Sequence, residues 1–157
     1  PTRTSIYDYI GVPAHQRWLN DKKFDGGRLT EEESALRDFY KRLLNFTINS
    51  TALMGDYQEI HYYNKEHTET YDHRVFSFVR WNDDEKLIVV SNFDTDKSYD
   101  LELKIPKEVI QKWGLNDGQH KLKDALYGSN FQLTVDEQVG QIQVNLEQLS
   151  SFIFIVE

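Results

Sequence analysis

The sequence predicts a mainly β protein, an antiparallel sandwich or barrel of eight short strands preceded by an irregular segment and one amphipathic helix. Three observations predict it. From Tyr57 onward apolar residues recur with a period of two, in short runs bounded by Gly, Asn, Asp or Ser. Aromatics are abundant, with three Trp, nine Tyr and nine Phe against only three Pro, which is the composition of sheet. Strands do not alternate with long helices, which argues against a parallel α/β sheet within the chain.

Residues 1–27 show neither helical nor strand periodicity and end at the Gly26-Gly27 pair. They carry Ile6, Tyr7, Tyr9, Ile10, Val12, Trp18 and Phe24, residues that rest on a surface rather than in water. That surface is either the rest of this domain or a larger neighbour from which the loop has been cut. A helix follows. Thr30 and Glu33 form a Thr-x-x-Glu capping box, and Glu31 and Glu32 add negative charge at the positive end of the helix dipole. Leu36, Phe39, Tyr40, Leu43, Leu44 and Ile48 share one stripe, with Arg37, Asp38, Lys41 and Arg42 opposite. The stripe needs cover, so Leu36, Phe39, Leu43 and Leu44 are expected to be buried. The segment Asn49-Ser50-Thr51 ends the helix, and Gly55 is expected in a left-handed conformation at the turn.

The strands then follow in order. They are YQEIHYY, HRVFSFVRWN and KLIVVSNFD, the last two joined by the turn NDDE, and then SYDLELKI, which alternates cleanly. PKEVIQKWG is a short helical excursion begun by Pro106 and stopped at Gly114. HKLKDALYG, NFQLTVDE, GQIQVNLE and SSFIFIVE complete the set. KLIVVSNF is nearly all apolar and is expected to be a central strand covered on both faces, with the helix and its neighbours covering the face turned from the core.

At 157 residues the chain is one domain with an appendage, large enough to bury a core without disulfides or metals. It has no cysteine, which leaves the compartment open. A net charge of −8 with interspersed signs disfavours nucleic acid and anionic membranes. No run of residues is long and apolar enough for a membrane span, and no signal peptide is visible. The opening residues PTRTSIYDYIGVP contain no initiator methionine, so the chain reads as a segment of a longer protein.

Candidate chemistry is thin. Asp94, Asp96, Ser98 and Asp100 open like a calcium loop, but Tyr99 stands in place of the required Gly and Ile105 in place of the bidentate Glu. A hairpin turn accounts better for the same residues. His15, His61, His67, His73 and His120 lack metal-ligand spacing. Asn45 and Asn49 begin glycosylation sequons inside a helical segment. Asp83 with Asp84, Asp94 with Asp96, and Asp136 with Glu137 sit in turns, not across a cleft as a glycosidase pair must. Trp81, Trp113, Tyr62 and Tyr63 are candidates for stacking on sugar rings, weighed against core and cross-strand packing.

An ordered set of motifs carries a resemblance. ALRDFYKRLLNF leads to STALMGDYQEI, then to the hairpin VFSFVRWNDDEKLIVVSNFD, an alternating strand, and finally VNLEQLSSFIFIVE. Over residues 30–157 this resembles the C-terminal end of α-amylase-like enzymes of glycoside hydrolase family 13. In that family the last helix of a catalytic (β/α)8 barrel runs into an ALxxGxY-like segment and a β-domain called domain C. Phe78, Arg80, Val89, Val90, Asn92 and Phe93 match its second and third strands, and Leu146 and Ser150 its final turn.

The resemblance implies an antiparallel Greek-key β-sandwich of about eight strands, preceded by an irregular segment and one amphipathic α-helix. It divides the chain into residues 1–50, from the barrel, and 51–157, domain C. The family's catalytic carboxylates lie upstream of such a segment, so no catalytic, cofactor-binding or metal residue is carried onto this chain, and no cofactor is expected. The implied function is a non-catalytic domain, inactive alone, bracing the barrel of the same polypeptide. The whole enzyme would cleave α-1,4-glucans with retention and is commonly exported from the cell. The rival readings are a carbohydrate-binding module that stacks α-glucan on exposed aromatics, and a free-standing immunoglobulin-like interaction domain.

Overall fold

The computed structural model describes residues 12–157, so the expectation that Ile6, Tyr7, Tyr9 and Ile10 rest on a surface lies outside the described residues. The described residues form two compact units, 12–45 and 46–157.

In the first unit the segment expected to be irregular contains a helix, α1 (Pro13–Leu19). Pro13 opens it, and Asn20, left-handed at φ 42°, closes it by donating its N–H to Gln16 O. Seven residues are too few for a period to show in sequence, so only these end signals betrayed it. Helix α2 (Glu31–Asn49) begins at the expected capping box: Glu33 N–H donates to Thr30 Oγ1 at 3.2 Å, and Thr30 N–H to Glu33 Oε2 at 3.0 Å. Arg17 of α1 pairs with both Glu33 oxygens. Its guanidinium, with the Thr30 amide, holds that carboxyl down to about 2.

The expected cover of the α2 stripe does not materialise. No residue of α2 is buried; Leu36 is 58% and Leu44 56% exposed, while Phe39 and Leu43 are half-buried. The short α1 meets only the first turns of α2, where Trp18, Leu29, Leu36 and Tyr40 line a shared groove.

The second unit holds eight antiparallel strands: β1 (Asp56–Glu59), β2 (Val75–Trp81), β3 (Lys86–Asn92), β4 (Tyr99–Ile105), β5 (Gly118–Asp124), β6 (Asn130–Asp136), β7 (Val139–Leu146) and β8 (Ser151–Val156). They form one sheet in the order β1-β2-β3-β8-β5-β6-β7-β4. Strand β4 leaves β3 to pair with β7, and β8 returns to lie between β3 and β5, which are Greek-key connections. Ile88 and Val90 of β3 share one core cluster with Leu101 and Leu103 of β4, although the two strands are far apart in the sheet. The sheet therefore curls over, and its two halves face each other as a sandwich. Helix α4 (Lys107–Trp113) follows Pro106 and ends at left-handed Gly114, burying Val109, Ile110 and Trp113.

Two local expectations are corrected. The strand read through YQEIHYY stops at Glu59, and His61–His67 is a helix, α3. Glu59 Oε1 accepts the Tyr62 N–H at 2.7 Å, and Asn64 anchors the helix from within. Fully buried Asn64 takes the place of a neighbouring strand: Nδ2 donates to Lys104 O at 2.8 Å and Oδ1 accepts Lys104 N–H at 2.7 Å. Thr68 Oγ1 donates to Glu102 O at 3.0 Å. Aromatic content suggested strand here, and this tertiary anchoring overrides it. Gly55 is extended, not left-handed, at φ −93°. It is needed because a Cβ there would lie 2.0 Å from the Trp81 carbonyl oxygen.

Candidate functional site

The residues singled out by sequence are dispersed by the fold. Buried Asp94 has no room for a cation. Its Oδ1 accepts the N–H groups of Asp96 and Lys97 at 2.9 and 3.2 Å, and its Oδ2 accepts Arg74 and the Tyr99 hydroxyl at 2.6 and 2.8 Å. These donors, the Asp96 amide foremost, hold the carboxyl far below its usual range. Four donors occupy the four lone-pair sites of a carboxylate. Asn92 completes the corner, accepting the Asp94 N–H and donating to Lys97 O and Glu147 O, which ties the β3–β4 loop to the β7–β8 loop. Sequence reading carried Asn92 only as a motif match; this triple bonding is what the motif encodes.

The histidines stay apart. His61 Nδ1 meets the Tyr71 hydroxyl at 3.2 Å, His67 Nδ1 meets Tyr63 O, His73 lies beside Asp72, and His120 meets Asn116 O. Among the described residues no three His, Asp or Glu side chains gather where they could hold a metal. Asn45 donates its amide to Lys41 O within the helix. Asp84 and Glu85 donate their N–H groups to Asn82 in the β2–β3 turn, and Glu85 Oε2 accepts Ser50 and the Ala52 N–H.

Two of the four sugar-stacking candidates are core residues. Trp81 and Trp113 are 8% and 6% exposed and meet edge to face, 6.2 Å apart. Tyr63 is half-buried and stacked on His67. Tyr62 alone of the four is open, 67% exposed.

A different feature stands out on the outer side of the sheet. On the half made by β4, β6 and β7, the outward residues Glu102, Gln132, Thr134, Gln141 and Gln143 line a shallow polar depression of about 290 Å³. A solvated face looks like this. The other half differs. In β2, Val75, Val79 and Trp81 point into the core, which sends Phe76, Phe78 and Arg80 outward. Leu87 and Val89 of β3, and Ile153 and Ile155 of β8, likewise lie outside the core cluster, yet Leu87, Val89 and Ile153 are themselves buried. Pairing sets Phe78 opposite Val89 and Val89 opposite Ile153, so the apolar face runs unbroken across three strands.

An aromatic row borders this face. Ring centroids lie 5.5 Å apart from Tyr57 to Phe78, 6.0 Å on to Phe76, 5.5 Å on to His61 and 5.2 Å on to Tyr62. Tyr57 is 53% and Phe76 36% exposed. Successive planes are tilted by 39°, 45°, 37° and 72°, so the row is a ridged surface, not the flat platform on which a pyranose stacks. Beside it Arg80 donates from Nη2 to Gly55 O, while its buried Nε has no hydrogen-bond partner among the described residues. A buried donor of that kind costs about 1–3 kcal/mol until it is satisfied.

Comparison with known proteins agrees with this architecture. No curated protein matches the chain. Among solved structures, AmyP in complex with maltotriose is 19% identical and covers 82% of the chain, with a TM-score of 0.58. An Anoxybacillus α-amylase is 15% identical and covers 85%, with a TM-score of 0.53. The chain spans only 22% and 25% of the lengths of those two proteins. The family model described as "Alpha amylase, C-terminal all-beta domain" matches residues 65–157, well over half of the chain. The eight antiparallel strands agree with that all-β description, and the chain belongs to the family of α-amylase C-terminal all-β domains.

Proposed function

We propose that the chain is the end of an α-amylase-type glycoside hydrolase: residues 1–50 complete a catalytic (β/α)8 barrel and residues 51–157 brace it. The aromatic row of Tyr57, Phe76 and Tyr62, left exposed at the border of the buried outer face of β2, β3 and β8, carries the bracing role, because a sandwich that worked alone would present polar residues there. The family match supports the enzyme context, and the resemblance supplies the reaction: hydrolysis of α-1,4-glucans with retention through a glycosyl-enzyme intermediate. The carboxylates for that step belong to the barrel. The domain contributes no reacting group and excludes water from the barrel surface that it covers.

The test is made in the full-length polypeptide. Replacing Phe76 and Phe78 by Ser should lower the temperature at which glucan hydrolysis is lost by several degrees, while kcat at low temperature stays unchanged. Loss of kcat without loss of thermal stability would refute bracing. α-Maltose as the first product, followed by NMR, tests retention; a β-anomer would overturn it. Saturable binding of maltoheptaose to the isolated chain, read by calorimetry, would favour a carbohydrate-binding module instead.

A further inference from the structure

Domains of a larger protein are ordinarily joined by exposed, flexible chain that few contacts cross. The junction here is built differently. The second unit begins at Phe46, inside α2, and the last turn of that helix runs on until the Ser50 N–H donates to Phe46 O at 2.9 Å. From Ser50 to Asp56 the chain is then fastened to the β2–β3 hairpin at successive points. Glu85 Oε2 accepts the Ser50 hydroxyl at 2.6 Å and the Ala52 N–H at 2.9 Å, across 35 and 33 residues of sequence. Arg80 donates from Nη2 to Gly55 O at 3.0 Å, Gly55 lies against the Trp81 carbonyl, and Asp56 pairs with Trp81 as β1 begins. Ser50 and Ala52 are both buried.

Glu85 is itself fixed. Asn82 Oδ1 accepts the Asp84 and Glu85 N–H groups, and the Asn82 N–H donates to Glu85 O at 3.0 Å, so the turn that carries the carboxylate is formed by its own residues. Both bonds to the carboxylate are charge-assisted and so stronger than neutral ones. Ala52 opens a short 3₁₀ turn (Ala52–Met54), whose first N–H groups find no acceptor within the turn. Thr51, at the cap position, makes no side-chain bond to them. A carboxylate from the far hairpin does that work instead, and in doing so it ties the end of α2 to the sheet.

We propose that Glu85 is a positioning residue that locks the end of α2 onto the β2–β3 hairpin, so that residues 50–55 act as a rigid coupling and not as a hinge. This rests on the reading of α2 as the last helix of the barrel. On that reading the brace reaches the barrel along the chain as well as across the face of the sheet.

The experiment is calorimetry of the full-length polypeptide with Glu85→Ala, Glu85→Gln and Glu85→Asp, joined to hydrogen exchange at the Ser50 amide, which bonds to Phe46 O and not to Glu85. Wild type should melt in one transition. Glu85→Ala should split it in two, and exchange at Ser50 should rise about tenfold or more as the helix end comes loose. Glu85→Gln keeps an oxygen with two lone pairs at the same reach and should restore the single transition. Glu85→Asp keeps the charge but is one methylene short, and should behave like Glu85→Ala. Rescue by Asp and not by Gln would mean that only charge near the turn matters, which overturns the proposal. A single transition in Glu85→Ala, or two in wild type, overturns it as well. If replacing Phe76 and Phe78 lowers the melting temperature while Glu85→Ala stays unsplit, the coupling fails and bracing stands. A full-length polypeptide with no barrel before residue 30 sinks both.

Discussion

Asn64 is the most informative position for testing how the domain is held together, because its buried amide stands in for a strand. Truncation to Ala removes contacts to four partners: Nδ2 donates to Ile60 O at 2.9 Å and to Lys104 O at 2.8 Å, and Oδ1 accepts the Lys104 N–H at 2.7 Å and shares at 3.3 Å the single Thr68 hydroxyl proton that also points to Glu102 O. Two of the four partners have alternatives. Ile60 O still accepts the Asn64 N–H, and Thr68 Oγ1 still donates to Glu102 O. The Lys104 N–H and C=O are left without partners. Each orphaned backbone group costs about 1–3 kcal/mol, the lower figure where water can enter, and Lys104 is half-buried. The sum is about 3 kcal/mol, or roughly 6–12 °C in Tm for a chain of this size. Urea unfolding of wild type and Asn64→Ala measures it, with hydrogen exchange at the Lys104 amide as a local readout. A loss under about 1 kcal/mol at unchanged m, or a Lys104 amide that stays protected, would refute the claim that this side chain replaces a strand.

Further predictions follow from the core and the loops. Gly55→Ala should destabilise by about 1–3 kcal/mol in thermal melts, because its Cβ would meet the Trp81 carbonyl at 2.0 Å and the backbone would have to move. Trp113→Ala should cost about 3–5 kcal/mol, and maltoheptaose should leave the fluorescence of Trp81 and Trp113 unchanged, since both are buried. Asp94 has its folded pKa depressed below the usual 3.8, so its stabilisation is complete above that value and fades as pH falls toward the folded pKa. Asp94→Asn should therefore be less stable than wild type near neutrality, and the gap should narrow below about pH 4 in acid titrations followed by circular dichroism.

What could be read from the sequence was whatever repeats at short range. The period-two runs located all the strands after Tyr57, and Pro106 and Gly114 marked both ends of α4. The capping box marked the start of α2. What escaped was set by partners far away in sequence. Helix α3 looks like strand until Asn64 meets Lys104, forty residues on. Gly55 looks like a left-handed turn until β2 brings the Trp81 carbonyl against it. Trp81 and Trp113 looked available to a sugar, because composition cannot tell an inward from an outward position in a strand or a two-turn helix whose neighbours are unknown. The outer apolar face escaped for a related reason. KLIVVSNF announced a strand covered on both sides, as buried Leu87, Ile88, Val89 and Val90 show it to be, but only the register with β2 and β8 reveals that the outer apolar layer is three strands wide.

The anchoring of α3 on β4 also bears on how the domain can associate. A terminal strand of a sheet is ordinarily an open template on which another chain can add. Here the Asn64 amide occupies the Lys104 N–H and C=O and the Thr68 hydroxyl the Glu102 C=O, on the side turned away from β7, and Pro106 just beyond has no N–H to offer. The opposite terminal strand, β1, is only four residues long. With one margin plugged and the other too short to guide a newcomer, the sheet is finished at eight strands. Such a domain joins its neighbours through its faces, and it can be exchanged between larger chains without bringing a sticky border along.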